Sequence, residues 1–91
     1  MNTAEIVNAY LIEHHIRPPE LARQMNEALK GSPFPEPGIT RQAVHYWTTG
    51  ETTHPDPGRL FWIAEHAEDE DLRQLARDLL DAVKESNGND K

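Results

Sequence analysis

The chain lacks cysteine, long apolar runs and an excess of basic residues, and each absence narrows what the protein can be. Without cysteine, disulfides and thiolate metal sites are excluded. No uninterrupted apolar run approaches the roughly 20 residues that a membrane-spanning helix requires. The first residues also lack the basic and apolar regions of a signal peptide. We therefore expect a soluble, cytoplasmic protein without a membrane segment.

The formal net charge of −7 disfavours nucleic-acid binding, because neutralisation of phosphates by cations supplies much of that affinity. The acidic residues are unevenly distributed. Residues 68–91 hold 8 acidic and 4 basic residues, which account for −4 of the total. Between Ile39 and Gly50 the only formally charged residue is Arg41. The central segment is therefore nearly neutral, although it is not a basic patch.

Apolar residues recur at helical spacing in five segments, and no segment alternates as a half-buried strand does. Pro18 and Pro57 suit the first positions of the second and fourth helices, where a missing amide donor costs little. Lys30 and Gly31 suit the end of the second helix. A chain of this length has room for one core. The sequence predicts an all-α, compact bundle of about five helices in a single domain over residues 1–85.

Two segments fall outside the expected helices. Residues 31–38 hold three prolines and two glycines, so they predict a stiff insert loop with Phe34 as its anchor on the body. Residues 86–91 are polar and predict a frayed C-terminal tail. The fourth helix offers a set of side chains that we expect to be buried: Leu60, Phe61, Ile63, Ala64 and Ala67.

Residues 40–49 form the most informative segment, a short helix with its own start and end. Thr40 is a suitable N-cap, and Gly50 readily adopts the left-handed conformation that ends a helix. Rotation of about 100° per residue places Ala43, Val44 and Trp47 on one side. The other side collects polar side chains: Arg41, Gln42, His45, Thr49 and, at its border, Tyr46. Arginine and glutamine near a helix N-terminus suit the base edges in a DNA major groove.

The order of these signals from residue 16 to residue 67 resembles the phage-repressor (lambda-repressor/Cro-like) helix-turn-helix family. In that family a Leu-Thr-Gln-x-x-Leu-Ala segment starts the second helix, and Ile16-Arg17-Pro18-Pro19-Glu20-Leu21-Ala22 takes its place here. The family's third helix commonly runs Ser-x-x-x-Ile-x-x-Trp-x-x-Gly, which is matched in type and spacing by Thr40, Val44, Trp47 and Gly50. The resemblance implies a helix-turn-helix whose turn is enlarged by the Pro-rich insert.

The resemblance also implies a transcriptional regulator, repressor-like, that binds double-stranded DNA with residues 40–49 as its recognition helix. Base-reading positions would be Arg41, Gln42, His45 and Tyr46, while Thr40 would touch a phosphate. The cations that the family often carries after the third-helix glycine are replaced here, so we expect weak salt dependence and modest affinity per protomer. The full set of candidate DNA contacts is Thr40, Arg41, Gln42, His45, Tyr46, Thr49, Thr52, Thr53 and His54.

A homodimer would let two recognition helices address two half-sites of DNA. The last helix carries an apolar stripe that either packs on the body of its own protomer or meets its twin. Leu80 makes this stripe wide for a helix packed on one surface. The candidate dimer interface is Leu72, Leu75, Leu79, Leu80 and Val83.

Other function classes have less support in the sequence. We expect no enzyme, no cofactor and no metal site, because no cysteine nucleophile, phosphate-cradling glycine loop or metal motif is present and the five histidines lack ligand spacing. The alternative to DNA binding is a helix-turn-helix-derived module for protein–protein interaction. In that hypothesis Phe34, Tyr46 and Trp62 anchor a protein partner, and the acidic exterior excludes nucleic acid.

Overall fold

The computed structural model describes residues 2–34, 38–50 and 56–88, with side chains described through residue 84. These ranges contain five α-helices and no β-strand: α1 (Thr3–His14), α2 (Pro18–Ala28), α3 (Arg41–Thr49), α4 (Pro57–His66) and α5 (Glu70–Gly88). The expected all-α bundle is therefore confirmed.

The helices begin where local chemistry predicts. The Asn2 side chain accepts a hydrogen bond from the Glu5 amide at 2.8 Å, and the Glu5 carboxylate accepts one from the Asn2 amide at 3.0 Å. This reciprocal pair satisfies two otherwise unpaired donors at the start of α1. At the start of α4, Asp56 accepts a hydrogen bond from the Gly58 amide at 3.2 Å, and Pro57 occupies the first helical position.

Two helix ends differ from expectation. We expected α2 to end at Lys30 and Gly31, but its last helical residue is Ala28 and its C-cap is Leu29. The Lys30 amide then donates to the Glu27 carbonyl in a tighter turn, and Gly31 follows with φ of 84°. We placed a frayed tail from residue 86 onward, but α5 continues to Gly88. No proline or glycine interrupts α5 before that glycine, so nothing in the local sequence ends the helix earlier.

The core lies between the five helices, each of which packs against at least one other. The helix α4 packs against α5, α2 packs against α3, and α1 packs against both α3 and α5. The fully buried side chains of largest volume come from all five helices: Leu21, Met25, Leu60, Ile63, Leu79, Val7 and Val44. The bundle thus has one continuous core rather than separate halves.

The side chain of Phe61 was expected in the core, and this expectation is wrong. Its ring is 61% exposed, whereas Leu60, Ile63 and Ala64 are buried. At helical rotation, Phe61 lies more than a quarter turn away from the centre of the buried stripe of α4. One exposed aromatic side chain on a soluble surface is common and by itself indicates no partner.

The apolar stripe of α5 packs on the body of its own protomer, which is the first of the two arrangements that the sequence allowed. Four members of the candidate dimer interface are buried within the protomer: Leu72, Leu75, Leu79 and Val83. Leu80 is half-buried and packs against the same core. The stripe is wide because α5 packs on two neighbours, α4 and α1, rather than on one. These four side chains therefore pack mainly within their own protomer.

Phe34 anchors the insert loop on α4, as predicted. Its ring lies so close to Gly58 that a Cβ atom there would be 3.1 Å from the ring. The guanidinium of Arg59 lies 5.2 Å from the centre of the same ring, and it pairs with Asp56 at 2.7 Å. Residues 35–37 of the insert lie outside the described residues.

Tyr10 lies where α1 meets α5. Its side chain is 7% exposed, and its ring stacks on His14 with 4.1 Å between ring centres. Burial raises the pKa of Tyr10 to about 12, and the carboxylates of Asp69, Asp71 and Glu13 add to this shift. The fold therefore favours the neutral phenol over the phenolate.

We expect this shift to reduce stability at alkaline pH. Between pH 10 and 12 a tyrosine in the unfolded chain loses its proton while Tyr10 in the folded chain retains it, so the free energy of unfolding falls as the pH rises. The loss is at most about 3 kcal/mol, which corresponds to two pKa units. Denaturant titrations of the wild type and Tyr10→Phe across this range measure it. Equal pH slopes for the two proteins would contradict the assignment.

Candidate nucleic-acid interface

The helix α3 has the start, end and buried side that its sequence predicts. The Thr40 hydroxyl accepts a hydrogen bond from the Ala43 amide at 3.0 Å, and Gly50 ends the helix with φ of 72°. Val44 is fully buried and Trp47 is 4% exposed. The side chains on the other side of α3 are therefore held in one orientation toward solvent.

The outer side of α3 presents four of the predicted contacts to solvent, namely Arg41, Gln42, His45 and Thr49, with Tyr46 half-buried at the border. The Gln42 side-chain amide donates a hydrogen bond to the Tyr46 hydroxyl at 2.7 Å. The rings of His45 and Tyr46 are tilted with 6.1 Å between their centres. The helix therefore brings these four polar side chains together on one exposed surface, as the sequence predicts.

The two threonine hydroxyls at the ends of this surface differ in what they can donate. The Thr40 hydroxyl is an acceptor in its cap, so its own proton remains available for a phosphate oxygen. The Thr49 hydroxyl donates to the Tyr46 carbonyl at 3.0 Å, so its proton is used within the helix. Thr40 thus suits a phosphate contact as it stands, whereas Thr49 has to rotate its side chain first.

Asn26 fixes the start of α3, a role that our sequence analysis missed. Its side-chain oxygen accepts a hydrogen bond from the Ile39 amide at 2.9 Å, and its nitrogen donates to the Ile39 carbonyl at 2.6 Å. These two bonds attach the residue before the Thr40 cap to α2. At the other end, the Asn8 side chain donates to the Thr48 carbonyl at 3.0 Å and attaches α3 to α1.

Three cations meet beside the start of α3 in a surface hollow of about 480 Å³. They are Arg23 from α2, Lys30 just beyond the end of α2 and Arg41 from α3, and Glu27 lines the same hollow. Arg23 pairs with Glu20, and Lys30 pairs with Glu27 at 3.2 Å. Arg41 has no ion-pair partner among the described residues. The net charge of the sequence hides this group of cations.

The acidic residues are concentrated on a different part of the fold. The helix α5 and the residues before it hold Glu68, Asp69, Glu70, Asp71, Asp78 and Asp81. The main packing partners of α5 are α4 and α1, whereas those of α3 are α1 and α2. This group of carboxylates therefore lies on α5 and just before it, and α5 is not a main packing neighbour of α3.

Three predicted contacts, Thr52, Thr53 and His54, lie outside the described residues. Within the ranges that the structure describes, no group of three histidine or carboxylate side chains is arranged to hold a metal ion. None of the described helices is both long enough and apolar enough to cross a membrane.

Only glycine fits at position 38, beside the Asn26 side chain. Replacing Gly38 therefore tests how much the hydrogen bonds between Asn26 and Ile39 contribute to stability. Gly38 has φ of 78°, and a Cβ atom there would lie 2.6 Å from the Asn26 side-chain oxygen. We expect Gly38→Ala to lower the free energy of unfolding by about 2–3 kcal/mol, as denaturant titration measures. Gly31→Ala is the matched control, because Gly31 has φ of 84° but nothing within 4 Å. Equal losses of unfolding free energy in both variants would show that the contact with Asn26 does not contribute to stability.

Arg41 occupies the first helical position, where a cation is unfavourable beside the positive end of the helix. The first turn of α3 contains no acidic residue to offset it. We therefore expect Arg41→Glu to raise the free energy of unfolding by about 0.5 kcal/mol. A marked loss of stability in Arg41→Glu would show instead that the guanidinium supports the fold.

The chain was compared with protein-family models, with curated proteins and with solved structures, and none of the three searches found a match. The functional interpretation therefore depends on the geometry of α3 and on the charges around it.

Proposed function

We propose that this protein is a sequence-specific DNA-binding transcriptional regulator that inserts α3 into the major groove of double-stranded DNA. The observation that carries the proposal is the outer surface of α3. It presents an arginine, a glutamine and a histidine to solvent from a short helix that is attached to the body at both ends. Arg41 stands at a position where it is unfavourable for the helix, so stability does not account for its presence.

The two residues at the start of α3 are suited to reading bases. An arginine can donate two hydrogen bonds to one guanine, and a glutamine can bond an adenine through both its amide groups. Each such pair contributes about 1–3 kcal/mol of discrimination against the wrong base. In this proposal Arg41 and Gln42 read base edges, and His45 and Tyr46 lie one turn further into the groove.

Phosphate contacts flank the base-reading residues. The free hydroxyl proton of Thr40 suits one phosphate oxygen. Arg23 and Lys30 line the same hollow as Arg41, so they are placed to approach the DNA backbone beside the start of α3. Both cations are exposed and pair only with exposed glutamates, so exchange of a glutamate for a phosphate costs little.

The arrangement of α2 and α3 agrees with the helix-turn-helix interpretation, with residues 29–40 as an enlarged connection. The proposal does not require the α5 stripe as a dimer interface. A homodimer with two α3 helices on two half-sites remains part of the proposal, but through a surface other than that stripe. The stoichiometry can be read from the symmetry of the DNA sites that the protein selects.

The alternative, a protein-interaction module anchored by Phe34, Tyr46 and Trp62, has less support. Each of the three rings contacts its own chain. Phe34 packs on Gly58 and Arg59. The Trp62 indole donates to the Ala28 carbonyl at 3.2 Å. The Tyr46 hydroxyl accepts a hydrogen bond from Gln42. All three residues are also half-buried, so each offers a partner only part of its ring.

The test is selection of bound duplexes from random oligonucleotides, followed by anisotropy titrations of the selected duplex at two salt concentrations. We expect the double variant Arg41→Ala, Gln42→Ala to lose about 100-fold in affinity for the selected site, since it removes two base-reading side chains. We expect only a shallow dependence of affinity on salt, because few cations face the DNA.

Gln74→Ala, Arg77→Ala is the matched control. It removes the same two residue types from exposed positions of α5 and makes the same change in net charge. The control is expected to bind the selected duplex as the wild type does, and both double variants are expected to unfold at the wild-type temperature. Failure of the wild type to enrich any sequence at low salt, or equal losses in both double variants, would refute the proposal.

A further inference from the structure

A second surface, on another side of α1, has features that DNA binding does not use. A groove of about 610 Å³ runs between α1 and α5. Its floor is apolar and is formed by Ile6, Ala9, Leu75 and Ala82. The small side chains of Ala9 and Ala82 leave the space that deepens the groove. We call this feature the α1–α5 groove.

The rim of the α1–α5 groove is acidic. It holds four carboxylates, those of Glu13, Asp71, Asp78 and Asp81. Asp71 lies 3.7 Å from the His14 ring, and Asp78 accepts a hydrogen bond from Gln74 at 3.0 Å. Neither Glu13 nor Asp81 has an ion-pair partner among the described residues. No lysine or arginine lines the groove in the described part of the chain.

The groove therefore carries a local negative potential, because four carboxylates and no lysine or arginine line it in the described part of the chain. The pKa of Tyr10 in its wall is raised by burial first and by the carboxylates of Asp69, Asp71 and Glu13 second, and two of these three, Asp71 and Glu13, line the groove. An apolar floor between two acidic edges is complementary to a segment with an apolar stripe flanked by cations.

We propose that the α1–α5 groove binds a basic amphipathic helix of a partner protein. The apolar side of that helix lies on the floor, and its lysines or arginines pair with the carboxylates on both edges. This inference is independent of the proposed DNA binding, because its residues lie on α1 and α5 and not on α3.

Other occupants fit the groove less well. DNA and anionic lipid surfaces carry the same sign of charge as the rim and are repelled by it. A second copy of this chain brings a net charge of −7 and the same four carboxylates around its own groove. Charge complementarity thus favours a basic partner over either.

The test uses the full-length protein and a labelled helical peptide of about 14 residues, or four turns, built from leucine on one side and lysine on the other. The matched peptide replaces every lysine with glutamate. We expect the lysine peptide to bind in an anisotropy titration and the glutamate peptide not to bind. We expect Glu13→Gln, Asp78→Asn, Asp81→Asn to weaken binding by about tenfold or more, since three exposed charge pairs are lost.

Glu27→Gln, Glu65→Gln, Glu68→Gln is the control protein, because it makes the same change in net charge outside the groove. It is expected to bind the lysine peptide within about twofold of the wild type. Ala9→Lys is a second variant. Position 9 is an exposed helical position in the groove, so the lysine side chain would occupy the groove and pair with its carboxylates. We expect this variant to abolish peptide binding. Wild-type thermal unfolding in each variant shows that the fold is intact.

Three results would overturn the inference. Equal weakening by both triple variants would indicate attraction by overall charge only. Binding of both peptides alike would indicate a nonspecific apolar contact. A sedimentation mass of two chains for the free protein that falls to one in Ala9→Lys would show that a second copy occupies the groove.

Discussion

The two hydrogen bonds between the Asn26 side chain and the backbone of Ile39 determine where α3 begins. A helix of nine residues is too short to be stable alone, so its position depends on what holds it. Asn26 holds the start, Asn8 holds the end, and Trp47 lies beneath. Because all three restrain the same short segment, the exposed side chains of α3 have a fixed register relative to α2. A surface that reads bases needs that rigidity, since a small displacement separates each donor from its acceptor.

The sequence predicted the features that depend on neighbouring residues. The caps at Thr40 and Asp56 and the exposed polar side of α3 all follow from spacing within one helix. The features that it did not predict depend on tertiary contacts. Periodicity shows how wide the α5 stripe is, but not that α4 and α1 cover it together. Asn26 and Ile39 are 13 residues apart and separated by a Pro-rich loop, so no local pattern connects them. Phe61 lies beside the buried stripe of α4, where residue type alone does not decide burial.

Charges of both signs occur on α2 and on α5, but two local groups on the surface differ in sign. Cations from α2 and α3 gather beside the start of α3, whereas carboxylates from α1 and α5 line the groove between those helices. A net charge averages over both regions and describes neither. A bound ligand interacts mainly with the charges close to it, because salt at physiological concentration screens electrostatic interactions beyond about 8 Å.

The position of the acidic residues would affect the specificity of the proposed DNA binding as well as its affinity. Nonspecific binding to DNA arises from cations meeting phosphates, so an acidic exterior weakens it while leaving base contacts on α3 intact. Under the proposed function this would raise the ratio of specific to nonspecific affinity, and α5 would disfavour orientations that bring its carboxylates to the DNA. A basic helix in the α1–α5 groove would neutralise part of that repulsion without contacting α3. Under the two proposals taken together, the partner and DNA would thus strengthen each other's binding by the same factor, because coupling free energies are reciprocal.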